Sequence, residues 1–117
     1  MTPVPPDAPQ PADFIVVFVT VPNAELASSL ANTLVTEKLV ACVNILPGVR
    51  SIYAWEGKVC DEPELMCVLK TRRALFPAMR ERVTALHPYH VPEIIALPLV
   101  DGNVPYLAWL RDETREP

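Results

Sequence analysis

Glycine is scarce: three residues in 117, at positions 48, 57 and 102. They never cluster, so the chain has no glycine-rich loop with which to cradle a phosphate. Cysteine is equally sparse, and Cys42, Cys60 and Cys67 are odd in number and form no CxxC pair. Neither a disulfide framework nor a closed zinc site is signalled, and Cys42 and Cys67 read as small core residues on strands. Basic charge is in deficit, with 10 Lys and Arg against 14 Asp and Glu and a net charge of -4. The local basic cluster Lys70-Thr71-Arg72-Arg73 reads as a strand end in solvent, and no nucleic-acid partner is expected. Long apolar runs are missing too. Phe14 to Val19 falls far short of a membrane span, and the N-terminus lacks the basic and apolar regions of a signal peptide, so no membrane association and a cytoplasmic location are expected. No serine or cysteine has a nucleophile's partner close by in sequence, which argues against an enzyme.

Proline, by contrast, is abundant, with 14 residues. Pro3, Pro5, Pro6, Pro9 and Pro11 remove backbone donors and impose extended geometry, so residues 1–12 are expected to form a disordered tail ahead of a single domain over residues 13–117. The domain opens with Phe14-Ile-Val-Val-Phe-Val-Thr-Val, a β-branched and aromatic run that predicts a central strand. Asn23 is placed to cap a helix over Ala24 to Lys38, in which Leu26, Leu30 and Leu34 recur at helical spacing. A second helix carries Leu75, Met79, Val83 and Leu86 on one stripe, tolerates Pro77 in its first turn, and ends before Pro88. Glu93 to Val100 predicts a fourth strand, with Pro98 marking an edge or a bulge. A short last helix carries Tyr106, Leu107, Trp109 and Leu110. The order β-α-β-β-α-β plus a helix is the α+β, ferredoxin-like split βαβ pattern.

Between the two main helices lies a hairpin too long for its body. Val40 to Trp55 and Glu56 to Thr71 read as two arms folded about Glu56-Gly57. Each arm has about 15 residues, or roughly 50 Å if unbroken, whereas a compact 100-residue domain has a radius of gyration of about 13 Å. On the returning arm Leu65, Cys67 and Leu69 alternate with Met66 and Val68, so both faces are apolar and need cover. One small subunit cannot supply it, and the pattern predicts an oligomer.

Five strings in register, Lys38-Leu-Val-Ala-Cys-Val-Asn-Ile, Tyr53-Ala-Trp-Glu-Gly-Lys-Val, Leu69-Lys-Thr, His87-Pro-Tyr-His-Val-Pro-Glu-Ile and Tyr106-Leu-Ala-Trp-Leu, resemble the CutA family of divalent-cation tolerance proteins from Phe14 to about Arg111. The resemblance implies a cytoplasmic homotrimer of ferredoxin-like subunits whose hairpins wrap their neighbours, akin in architecture to the PII signalling proteins. It also implies a role in the response to metal ions, with copper or another divalent cation as the expected ligand, and no organic cofactor. Many members read His-Pro-Tyr-Glu where this chain has His90, and Val19 stands where some carry a thiol.

The candidate metal ligands are His87, His90 and Glu93, since two imidazoles and a carboxylate suit Cu(II), Zn or Ni. The alternative is that His87 completes a helix C-terminus, His90 is solvated, and Glu93 pairs with a basic residue. A second constellation, Tyr53, Trp55, Lys70, Tyr89 and Trp109, is suited either to lining an inter-subunit cleft for a small ligand or to sealing an interface.

Overall fold

The computed structural model describes residues 8–117. Residues 1–7, the larger part of the expected tail, lie outside the described residues; Pro11–Asp13 form a 3-10 turn. The elements follow as β1 (Phe14–Val21), α1 (Ala24–Thr36), β2 (Cys42–Trp55), β3 (Lys58–Arg72), α2 (Phe76–Leu86), β4 (Ile94–Pro98) and α3 (Val104–Asp112). This is the ferredoxin-like α+β order. Asn23 caps α1, its Oδ1 accepting the Leu26 N–H at 2.8 Å. The helix stops two residues before the predicted Lys38, which turns the chain out of helical geometry at a φ of 58°. Pro77 and Pro105 sit in the first turns of α2 and α3, where a missing N–H costs nothing.

The four strands form one antiparallel sheet in the order β2-β3-β1-β4. Because side chains alternate along a strand, the register divides them cleanly between two faces. Ile15, Val17, Val19 and Val21 of β1, with Cys67 and Leu69 of β3, face α1 and α2 and close a core with Leu30, Leu34, Met79 and Val83. On the other face lie Val16, Phe18, Val68 and Met66, and β4 adds Ile95 opposite Phe18 and Leu97 opposite Val16. There α3 covers one end, where Leu107 and Leu110 pack on Phe14 and Ala41. The rest is open: Ile95, Leu97 and Leu46 are 53, 51 and 46 % exposed.

Two basic and thiol residues depart from expectation. Cys42 is half-buried on the open face beside Lys70 rather than in the core, because alternation sends Val43 inward instead. Arg72 does not end a strand in solvent. Its guanidinium donates to Thr114 Oγ1 at 2.8 Å, to the Thr114 carbonyl at 3.2 Å and to the Arg111 carbonyl at 2.5 Å, and pairs with Glu116 at 3.4 Å. With the Arg115 N–H on the Lys38 carbonyl, these bonds clasp the C-terminal segment to the sheet.

The hairpin of β2 and β3 runs past the body. Extents of 56 × 26 × 23 Å and a radius of gyration of 15.9 Å exceed the roughly 13 Å of a compact domain this size. A register shift between Leu46 and Val49, with Gly48 at a φ of 78°, bends β2 where it leaves the body. The turn at Glu56-Gly57 has both residues at positive φ, 49° and 77°, which is the two-residue geometry that matches strand twist.

Candidate functional site: the turn after the second helix

Pro88 cannot continue α2, so the chain leaves the helix at His87, whose N–H still bonds the Val83 carbonyl. The imidazole is 7 % exposed and both of its nitrogens are engaged. Nε2 lies 2.7 Å from the Thr20 carbonyl oxygen, which only accepts, so Nε2 carries the proton. Nδ1 accepts the Tyr89 N–H at 3.1 Å. A neutral ring held this way has no lone pair left for a metal. It fixes the turn to the end of β1, and the Tyr89 ring tilts against it at 4.6 Å between centroids.

Tyr89 carries the turn on to β3, donating its O–H to Glu64 Oε2 at 2.9 Å. Glu64 is 7 % exposed, a buried carboxylate that sequence reasoning missed inside the acidic run Asp61-Glu62-Pro63-Glu64. The signal lay in its alternation with Met66 and Val68, which marks it as one of their face and not of a solvated tip. Burial first, then the bond to Glu64 and the carboxylate's charge, push the Tyr89 phenol up to about 12. Burial also raises the Glu93 carboxyl above its usual range, and the neighbouring Glu64 charge adds to this. The Tyr53 phenol, which pairs across the hairpin with Cys60, is raised by burial and then by the charges of Cys60, Glu62 and Glu64. Glu64 thus holds Tyr89 by a hydrogen bond, and its charge acts on Tyr53 and Glu93.

The predicted residues therefore divide into two groups. Tyr89 bonds Glu64, whose charge also acts on Tyr53 and Glu93, and His90 is exposed on the same turn. Lys70 and Trp109 lie at the other end of the open face: the Lys70 ammonium sits 5.9 Å from the Tyr106 ring centroid, and Tyr106 tilts against Trp109 at 5.4 Å. Trp55 stands apart at the hairpin tip, 47 % exposed. Among the described residues no three His, Cys, Asp or Glu side chains converge as a metal-binding group. The residues of a single subunit do not fit a resident metal, because His87 is spent and His90 and Glu93 make at most two ligands. A cavity of about 630 Å³ opens elsewhere, between Phe14, Arg72, Arg73, Pro77 and Arg111, and touches none of these residues.

Residues 15–113 match the family model described as CutA1 divalent ion tolerance protein. A divalent-cation tolerance protein CutA from Thermus thermophilus is 54 % identical over 99 residues, covering 85 % of this chain and 96 % of that protein. The chloroplastic protein CutA 1 of rice is 54 % identical over 102 residues, 87 % of this chain but 58 % of the rice protein's length. The crystal structure of CutA1 from Oryza sativa superposes with a TM-score of 0.87 at 53 % identity, covering 89 % of this chain and 95 % of that one. The shared length takes in every strand, both long helices and the turn from His87 to Glu93. This chain belongs to the CutA1 family of divalent ion tolerance proteins.

Proposed function

We propose that the chain works as a cytoplasmic homotrimer, a non-catalytic protein of the divalent-cation response whose ligand sites are completed between subunits in the manner of PII proteins. The observation that carries this is the open sheet face, where Val16, Phe18, Val68, Ile95 and Leu97 form a broad apolar surface that α3 covers at one end alone. Surfaces of this kind mark association sites, and the number three is carried over from the family. Copper or another divalent cation is the expected ligand. Its donors on this chain are His90, which has no side-chain partner among the described residues, and Glu93, with neighbouring copies completing the shell. His87 positions the turn without ligating. A small anion in the seam is the second reading, favoured by the Lys70 ammonium beside the Tyr106 and Trp109 rings.

Light scattering coupled to size exclusion tests the assembly, with about three times the 13.0 kDa chain mass expected at micromolar concentration. A stable monomer overturns it. Calorimetric titration with copper at pH 7 tests the site: His90→Ala and Glu93→Gln should each weaken binding at least tenfold, while His87→Ala lowers stability. Binding should also weaken in acid, since neutral imidazole is the ligating form. Equal binding by wild type and His90→Ala removes the turn from consideration.

A further inference from the structure

The open face is apolar in its middle and charged with opposite sign at its two ends. Lys70 stands opposite Val16 of β1 and opposite Cys42 of β2. Beside the Tyr106 ring, this ammonium has no carboxylate within ion-pair distance among the described residues. At the far end, Ile94 pairs with Val19, so Glu93 falls beside Thr20, and alternation puts Glu93 on the face of Ile95 and Leu97. Met66 also pairs with Thr20, and Glu64 follows on the same side of β3. The Val16 and Thr20 rows are four residue steps apart, about 13 Å of strand. Lys70 cannot reach Glu93 of its own chain.

Covering this face with another copy would strip water from both ends at once. A cation or carboxylate buried without a counter-charge is strongly unfavourable. The two ends cancel when copies meet with the Lys70 end of one on the Glu93 end of the next. Glu93 and Glu64 fall on the same face to either side of Thr20, so an ammonium arriving there from outside meets two carboxylates. We infer that Lys70 is the counter-charge of the neighbouring copy's acidic end, so that a Lys70–Glu93 pair across the seam sets how copies align on the apolar face. This rests on the assembly proposed above and adds its alignment and its charge partner.

The test is a charge-reversal cycle in metal-free buffer, read as the guanidinium concentration at which light scattering reports dissociation, with circular dichroism following subunit structure. Lys70→Glu and Glu93→Lys should each raise the dissociation constant at least tenfold, and the double reversal should return it to within about threefold of wild type. Lys70→Arg, which keeps the charge, should dissociate as wild type does. Single reversals that leave dissociation unchanged, or a double reversal worse than either single, overturn the pairing. So does stabilisation of the wild-type assembly by inorganic phosphate that Lys70→Ala abolishes, which would make a small anion the partner of Lys70. A wild-type monomer would instead sink the assembly itself, so the two failures are distinguishable.

Discussion

His87 shows how a residue chosen for one chemistry performs another. The sequence offers an imidazole beside a second imidazole and a carboxylate, a pattern that points to metal. Folding spends both nitrogens of His87 on Thr20 and Tyr89, and no local pattern announces a carbonyl 67 residues away. His87→Ala strands that carbonyl and leaves a cavity, so guanidinium unfolding should show a loss of roughly 2 kcal/mol. Tyr89 adds a pH dependence. Its folded pKa, about 12, lies above the ordinary 10.0, so its protonated form is favoured in the fold. That contribution is complete below pH 10 and is lost as pH rises toward 12. Tyr89→Phe should therefore lower stability at neutral pH and flatten its decline between about pH 10 and about pH 12; an equally steep decline in the variant would show that the phenol does not govern it. Tyr53, Lys70 and Trp109 are legible in the sequence as aromatic and basic residues suited to one cleft, but their division between two ends of one face depends on register, which a single sequence does not carry.

At the scale of elements, periodicity sufficed wherever burial is one-sided. The stripes of α1 and α2, the central β1, and the hairpin about Glu56-Gly57 form where their patterns place them. Irregularities escaped the pattern. The bulge at Pro47-Gly48 hides inside a run that reads as continuous strand, because a bulge adds one residue without changing composition. The C-terminal clasp hides because Arg72 belongs to a run of basic residues and two of its four acceptors are backbone carbonyls. Arg72→Ala removes a guanidinium that reaches across three elements, and the cost should be about 2 kcal/mol. Limited proteolysis should then cut near Thr114 first. Cleavage elsewhere, with Thr114 still protected, would show that Arg115 on Lys38 suffices.

For the whole molecule, neighbouring positions on β3 should have opposite consequences. Leu69 is fully buried under the helices, while Val68 faces the open side. Leu69→Asp should abolish folding of the subunit; Val68→Asp and Ile95→Asp should leave helix and strand content intact by circular dichroism and disperse the assembly. If Ile95→Asp still scatters as a trimer, the face is not the seam. The proposed assembly on the uncovered face also makes concentration a variable of stability. When three chains unfold from one assembly, each tenfold dilution lowers the free energy of unfolding by about 2.7 kcal/mol per trimer, twice the 1.4 kcal/mol of a decade in a binding constant. For the proposed trimer, dilution thus acts as a mild denaturant, and the melting temperature becomes a property of how much protein is present as well as of its sequence.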